Sequence, residues 1–85
     1  MTTYPSAVAV YDAPTRQWAS LAPMHDIASQ GDTADEAIAN VLEAVREVAE
    51  VCAGDGLPMP GPVPWDDFGD FVRGGNGSMV VRVQA

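Results

Sequence analysis

Between Thr33 and Cys52 the chain carries one sustained helical rhythm. Ala37, Ile38, Val41, Leu42, Val45, Val48, Ala49 and Cys52 recur every three or four residues, while Asn40, Glu43, Glu47 and Glu50 fall on the other side. That spacing predicts an amphipathic helix. At about 1.5 Å per residue, some twenty residues make a rod of roughly 30 Å, longer than the strands it has to cover. Its start is marked by Gly31-Asp32-Thr33. Thr33 and Glu36 have the spacing of a capping box, in which the threonine hydroxyl accepts from the backbone N–H three residues on and the glutamate reaches back to the Thr33 N–H. Asp32, Asp35 and Glu36 sit at the positive end of the helix dipole. Gly54 and Gly56 supply the stop. A lone apolar stripe of this length has to be buried against another layer.

The strands for such a layer lie on both sides. Tyr4 to Tyr11 is rich in valine and aromatics and runs into a turn cluster, Asp12-Ala13-Pro14-Thr15, the pattern of a strand entering a hairpin. Gln17 to Ala22 is the return strand, ended by Pro23, which has no N–H for a ladder. Ile27 to Gln30 is a short third strand. At the far end, Ser78 to Gln84 alternates, with Met79, Val81 and Val83 on one face and Arg82 and Gln84 on the other, as a half-buried strand does. The order is β-β-β-α-β: a two-layer α+β sandwich with a mixed four-stranded sheet on one long helix. A right-handed crossover lays the last strand beside the first and parallel to it.

Between helix and last strand lie two further segments. Leu57 to Pro64 has proline at every second position; each ring restricts its own φ and extends the residue before it. It reads as a stiff connector, with a proline-rich ligand for an aromatic groove as the other use. Trp65 to Val72 is expected to form a short turn of helix presenting Trp65, Phe68 and Phe71, and Arg73 to Ser78 a mobile glycine loop.

Eighty-five residues bound this to a single domain, residues 1–85, with one modest core. The chain is expected to be cytoplasmic: it has no stretch near the roughly 18 apolar residues of a membrane span and no signal-peptide pattern. Cys52 is the only cysteine, so no intrachain disulfide forms. Twelve acidic residues against four arginines and no lysine give a net charge of −8. Nucleic-acid binders displace phosphate counterions with cations, so direct DNA or RNA binding is not expected. The natural complement is a basic protein; the simpler reading is that net charge keeps a small protein soluble.

The order of these pieces resembles the HicB antitoxin family. An aromatic strand opened by Tyr4-Pro5, a tryptophan-bearing strand, Pro23, the run Gly31-Asp32-Thr33 with Asp35-Glu36-Ala37 and Asn40, and Leu57-Pro58-Met59-Pro60 after the helix carry the likeness. It covers about the first sixty residues and, loosely, the last strand. The resemblance implies a degenerate RNase H-like fold without catalysis. It implies a non-catalytic antitoxin that binds and neutralises a small basic mRNA-cleaving toxin of HicA type. Many such proteins also carry a C-terminal DNA-binding domain; nothing in this chain matches one, so no autorepression is expected of it. The segment from Trp65 to Gly77 has no family counterpart. The alternative is a solitary HicB-like homo-oligomeric structural or regulatory module with no toxin.

No enzyme chemistry is expected. Two-metal nucleases anchor their ions on clustered carboxylates. Asp12, Asp26, Asp32 and Asp66 are of the right type, but Ala7 to Val10 occupy the first strand where the anchor belongs. His25 beside Asp26 reads as a solvated loop residue, and Cys52 as part of the apolar helix face. No metal, cofactor or catalytic residue is therefore assigned. The candidate partner surface is acidic and aromatic: Glu43, Glu47 and Glu50 on the long helix, with Trp65, Asp66, Asp67, Phe68, Asp70 and Phe71. The aromatics serve either as anchors for a partner, or as a cap on the overhanging helix end or packing between copies of the chain. Either face of the first strand, Val8 and Val10 or Ala7, Ala9 and Tyr11, leaves apolar surface that one helix does not cover. Self-association as a dimer or a dimer of dimers, through the open sheet face or the last strand, is expected to cover it.

Overall fold

A computed structural model describes residues 4–74 and 79–82. Four strands, β1 (Ala7–Asp12), β2 (Gln17–Ala22), β3 (Ile27–Gly31) and β4 (Met79–Arg82), form one sheet in the order β3-β2-β1-β4. Helix α1 (Ala34–Asp55) follows β3, and α2 (Trp65–Arg73) precedes β4. The expected α+β class and the place of the last strand beside the first are both found. The expected mixed sheet is not: β4 runs antiparallel to β1, pairing Val10 with Met79 and Ala7 with Arg82, so every ladder is antiparallel.

The second helix accounts for the reversal. Leaving α1, the connector returns to the end of the sheet where β1 begins, and the Val63 N–H donates to the Pro23 carbonyl (2.8 Å). α2 starts there, with Trp65 stacked on Tyr4. The chain re-enters the sheet at the other end, at Met79 opposite Val10. Nine helical residues span about 13 Å, close to the length of a four-residue strand. α2 thus returns the chain along the sheet, and β4 descends where a single crossover would have made it rise. The segment expected as a brief helical turn is a full element. Of the expected loop and last strand, residues 75–78 and 83–85 lie outside the described residues.

Both hairpins close with four-residue loops, whose turns are offset by one residue. In each a proline takes the second corner of the turn, Pro14 under the Arg16 N–H to Ala13 carbonyl bond and Pro23 under the His25 N–H to Ala22 carbonyl bond, the position its fixed φ favours. The last loop residue is left-handed in both, Arg16 at φ 58° and Asp26 at φ 52°.

The strand pairings divide the side chains between the faces. Ala7, Ala9 and Ala22 pack with Ala37, Ile38 and Val41 of α1, flanked by Trp18, Ile27 and Val80. Small alanines on β1 let α1 approach closely. Val8, Val10 and Leu21 are buried on the opposite face. In β4 the residue that reaches the α1 core is Val80, while Met79 and Val81, expected to be half-buried together, are 45% and 44% exposed.

The start of α1 has the predicted cap with one difference. Thr33 is the N-cap, and its Oγ1 accepts from the Glu36 N–H at 3.0 Å. Glu36 reaches one residue further back than expected and accepts from the Asp32 N–H (3.2 Å). Gly31, just upstream, is held so close to the helix that a Cβ there would lie 2.6 Å from the Ala37 nitrogen. At the other end Gly56 is left-handed at φ 70°, and the Leu57 N–H donates to the Cys52 carbonyl (2.8 Å), a glycine C-cap.

Candidate functional site

α2 is short but strongly two-sided. Trp65, Phe68 and Val72 recur at helical spacing with Phe71 beside them, while Asp66, Asp67 and Asp70 occupy the other side. Its apolar side faces the sheet surface that α1 leaves free. The anchor is aromatic: Tyr4 lies 5.1 Å from Trp65 and 5.0 Å from Phe68, centroid to centroid, and the Trp65 and Phe68 rings stack at 5.6 Å. The Tyr4 hydroxyl donates to the Val63 carbonyl (2.7 Å), tying the cluster to the connector. On the loop side, His25 Nδ1 and the Pro60 carbonyl are 3.2 Å apart. His25 is a partly exposed loop residue, and this contact joins its loop to the proline segment.

Beyond the aromatic anchor, α2 stands off the sheet and leaves an open apolar groove of about 460 Å³. Tyr4, Pro5, Val8, Phe68, Val72, Met79 and Val81 line it. Its volume is in the range of clefts that receive a ligand or an anchoring side chain. One wall is the groove-facing side of β4, a strand at the edge of the sheet. The outer side of α2 above it is acidic and exposed at Asp66, Asp67 and Asp70. Arg73 pairs with Asp70; both side chains are largely solvated, a setting in which an ion pair adds little stability.

The candidate surface read from the sequence is thereby divided. Glu43, Glu47 and Glu50 are exposed on α1, across the sheet from α2. Trp65, Asp66, Asp67, Phe68, Asp70 and Phe71 belong to α2. Within this group Phe68 is a groove wall, Trp65 joins the aromatic anchor while staying 57% exposed, and the aspartates face outward. Trp65 and Phe68 pack with Tyr4 and so seat α2 on the sheet face opposite α1. Sequence reasoning missed Tyr4, Pro5, Val8, Val72, Met79 and Val81 as parts of one site. The recurrence of Trp65, Phe68 and Val72 was the available signal, because it marks a helix with a face to bury.

The acidic residues weighed as metal ligands are dispersed. Asp12 ends β1, Asp26 lies in the loop at the opposite end of the sheet, Asp32 donates its N–H to Glu36, and Asp66 opens α2. Among the described residues no group of three or more histidine, cysteine or acidic side chains is placed to hold a metal ion. No helix among them is long and apolar enough to cross a membrane. Comparison with protein-family models, with curated proteins and with solved structures finds no match.

Proposed function

We propose that this chain is a non-catalytic binding domain of HicB-like type that masks a small basic mRNA-cleaving toxin. The observation that carries the proposal is the open apolar groove beneath α2 on a protein of net charge −8. An apolar site left open among the described residues of an acidic domain suits a cationic protein: opposite charge speeds and orients encounter, and apolar anchors then hold the complex. The order of motifs around Gly31-Asp32-Thr33 supports the family reading, and the degenerate RNase H-like fold belongs to that same proposal. The antiparallel β4 and the helix α2 are departures that the resemblance does not anticipate.

The test is biochemical. A small basic ribonuclease encoded beside this gene is purified, and its cleavage of RNA is followed as the chain is added. Stoichiometric suppression, weakening as salt is raised, is the expected result. Undiminished cleavage at excess chain overturns the reading.

A second reading has its own support. Met79 and Val81 are exposed on an edge strand, and exposed edges pair with one another unless blocked. A solitary module that self-associates through β4 would cover them. The case for it rests on a smaller surface than the sequence suggested, because Val8, Val10 and Leu21 are already buried within one chain.

A further inference from the structure

Building on the proposed masking function, we infer that the groove and the outer edge of β4 together form a docking site for an extended basic segment of the partner, which adds to the sheet as a fifth strand. Two observations and the geometry of a strand combine in this assignment. β4 has a strand neighbour only on its β1 side among the described residues, so its outer backbone groups are available for a ladder. Met79 and Val81, two residues apart, stand 45% and 44% exposed beside the groove. An added strand also places every second side chain on that same face, so its apolar residues meet Met79, Val81, Phe68 and Val72. Strand addition takes its affinity from main-chain bonds and its selectivity from such side-chain pockets.

The other edge of the sheet is less open. The Asn40 Nδ2 of α1 donates to the Gln30 carbonyl of β3 at 2.8 Å, so α1 already occupies part of that edge. Charge decides between occupants. A second copy of this chain brings another −8 to the contact, and like charge opposes association. A segment with lysine or arginine flanking its apolar residues is attracted instead. Its basic side chains extend over α2 to Asp66, Asp67 and Asp70, which are exposed beside the groove.

The experiment uses the whole chain, labelled with nitrogen-15, and a synthetic peptide of alternating leucine and threonine flanked by lysines. Saturable amide shifts confined to Met79–Arg82, Phe68, Val72, Tyr4 and Val8 are expected. Val81→Lys and Met79→Lys, both at exposed positions, should keep the native spectrum and weaken binding about tenfold or more, as loss of an anchor does. Shifts on the Glu43–Glu50 face of α1, no saturable shifts, or equal affinity for these variants would overturn the docking site. Concentration-dependent shifts of β4 without peptide would overturn it in favour of a second copy. Peptide binding at the groove with no suppression of the basic ribonuclease would leave the site standing and remove the toxin reading. Suppression that survives Val81→Lys would do the reverse.

Discussion

Replacing Gly31 with alanine adds a single methyl group, yet the geometry makes it one of the more damaging small changes available. The new Cβ would lie 2.6 Å from the Ala37 nitrogen and 3.0 Å from both the Ala37 Cα and the Glu36 carbonyl carbon, against 3.4 Å where ordinary contact begins. All three atoms are backbone, so no side chain can swing aside. Either the strand end or the first turn of α1 has to move, and that turn holds the Thr33 and Glu36 cap. Overpacking costs about 1–3 kcal/mol and a lost cap about 1 kcal/mol, so the sum is about 2–4 kcal/mol. At roughly 4–8 °C per kcal/mol for a domain of this size, the melting temperature should fall by about 10 °C or more. Two more glycines calibrate the measurement. A Cβ at Gly54, inside α1, meets nothing within 4 Å, so Gly54→Ala should stabilise by up to about 1 kcal/mol through helix propensity alone. Gly56 is left-handed at φ 70°, and Gly56→Ala should cost about 1–2 kcal/mol. Thermal unfolding followed by circular dichroism reads all three. If Gly31→Ala melts within a degree or two of the parent, the close approach of β3 to α1 is wrong and the reasoning fails with it.

Thr33→Ala removes the N-cap acceptor of the Glu36 N–H and should lower stability by about 1 kcal/mol; an unchanged melting point would mean that α1 does not begin there. Asn40→Ala breaks the tie between α1 and the β3 carbonyl of Gln30 and should cost about 0.5–1.5 kcal/mol, with faster amide exchange along β3 as its local signature. Ser20 is fully buried on the α1 side of the sheet, and its hydroxyl has no hydrogen-bond partner among the described residues. Ser20→Ala should therefore be neutral or stabilising by about 1 kcal/mol, whereas a clear loss of stability would reveal a bond to that hydroxyl. Sedimentation at micromolar concentration separates the two functional readings: a species near the 8.9 kDa of one chain supports a groove held for another protein, and a dimer supports the self-associating module.

Much of this fold is legible in local sequence because local physics produces it. The β2 bounds, Gln17–Ala22, follow from the turn cluster before the strand and from Pro23 after it, which has no N–H for a ladder. The start of α1 follows from Thr33, whose hydroxyl accepts from the Glu36 N–H in the first turn, a donor without a partner inside the helix. Helix stripe, turn prolines and glycine stop act over a few residues each, so their effects are written where the residues are. The acidic balance is likewise a property of composition, and it needs no coordinates to argue for a cationic partner.

The remaining features depend on contacts between distant stretches of the chain. Gly31 reads in sequence as part of the helix-start signal, but its smallness matters because the backbone of α1, six residues later, comes back against it. Asn40 reads as a solvated helix position until the helix lies over β3 and brings Gln30 within reach. The direction of β4 could not follow from its own four residues, since an edge strand pairs either way; the length of α2 and the end of the sheet at which it starts determine it. The candidate site has the same origin. Tyr4 and Val8, Phe68 and Val72, and Met79 and Val81 come from three separate stretches, and they line one groove because α2 turns its apolar side to the sheet face that α1 leaves uncovered.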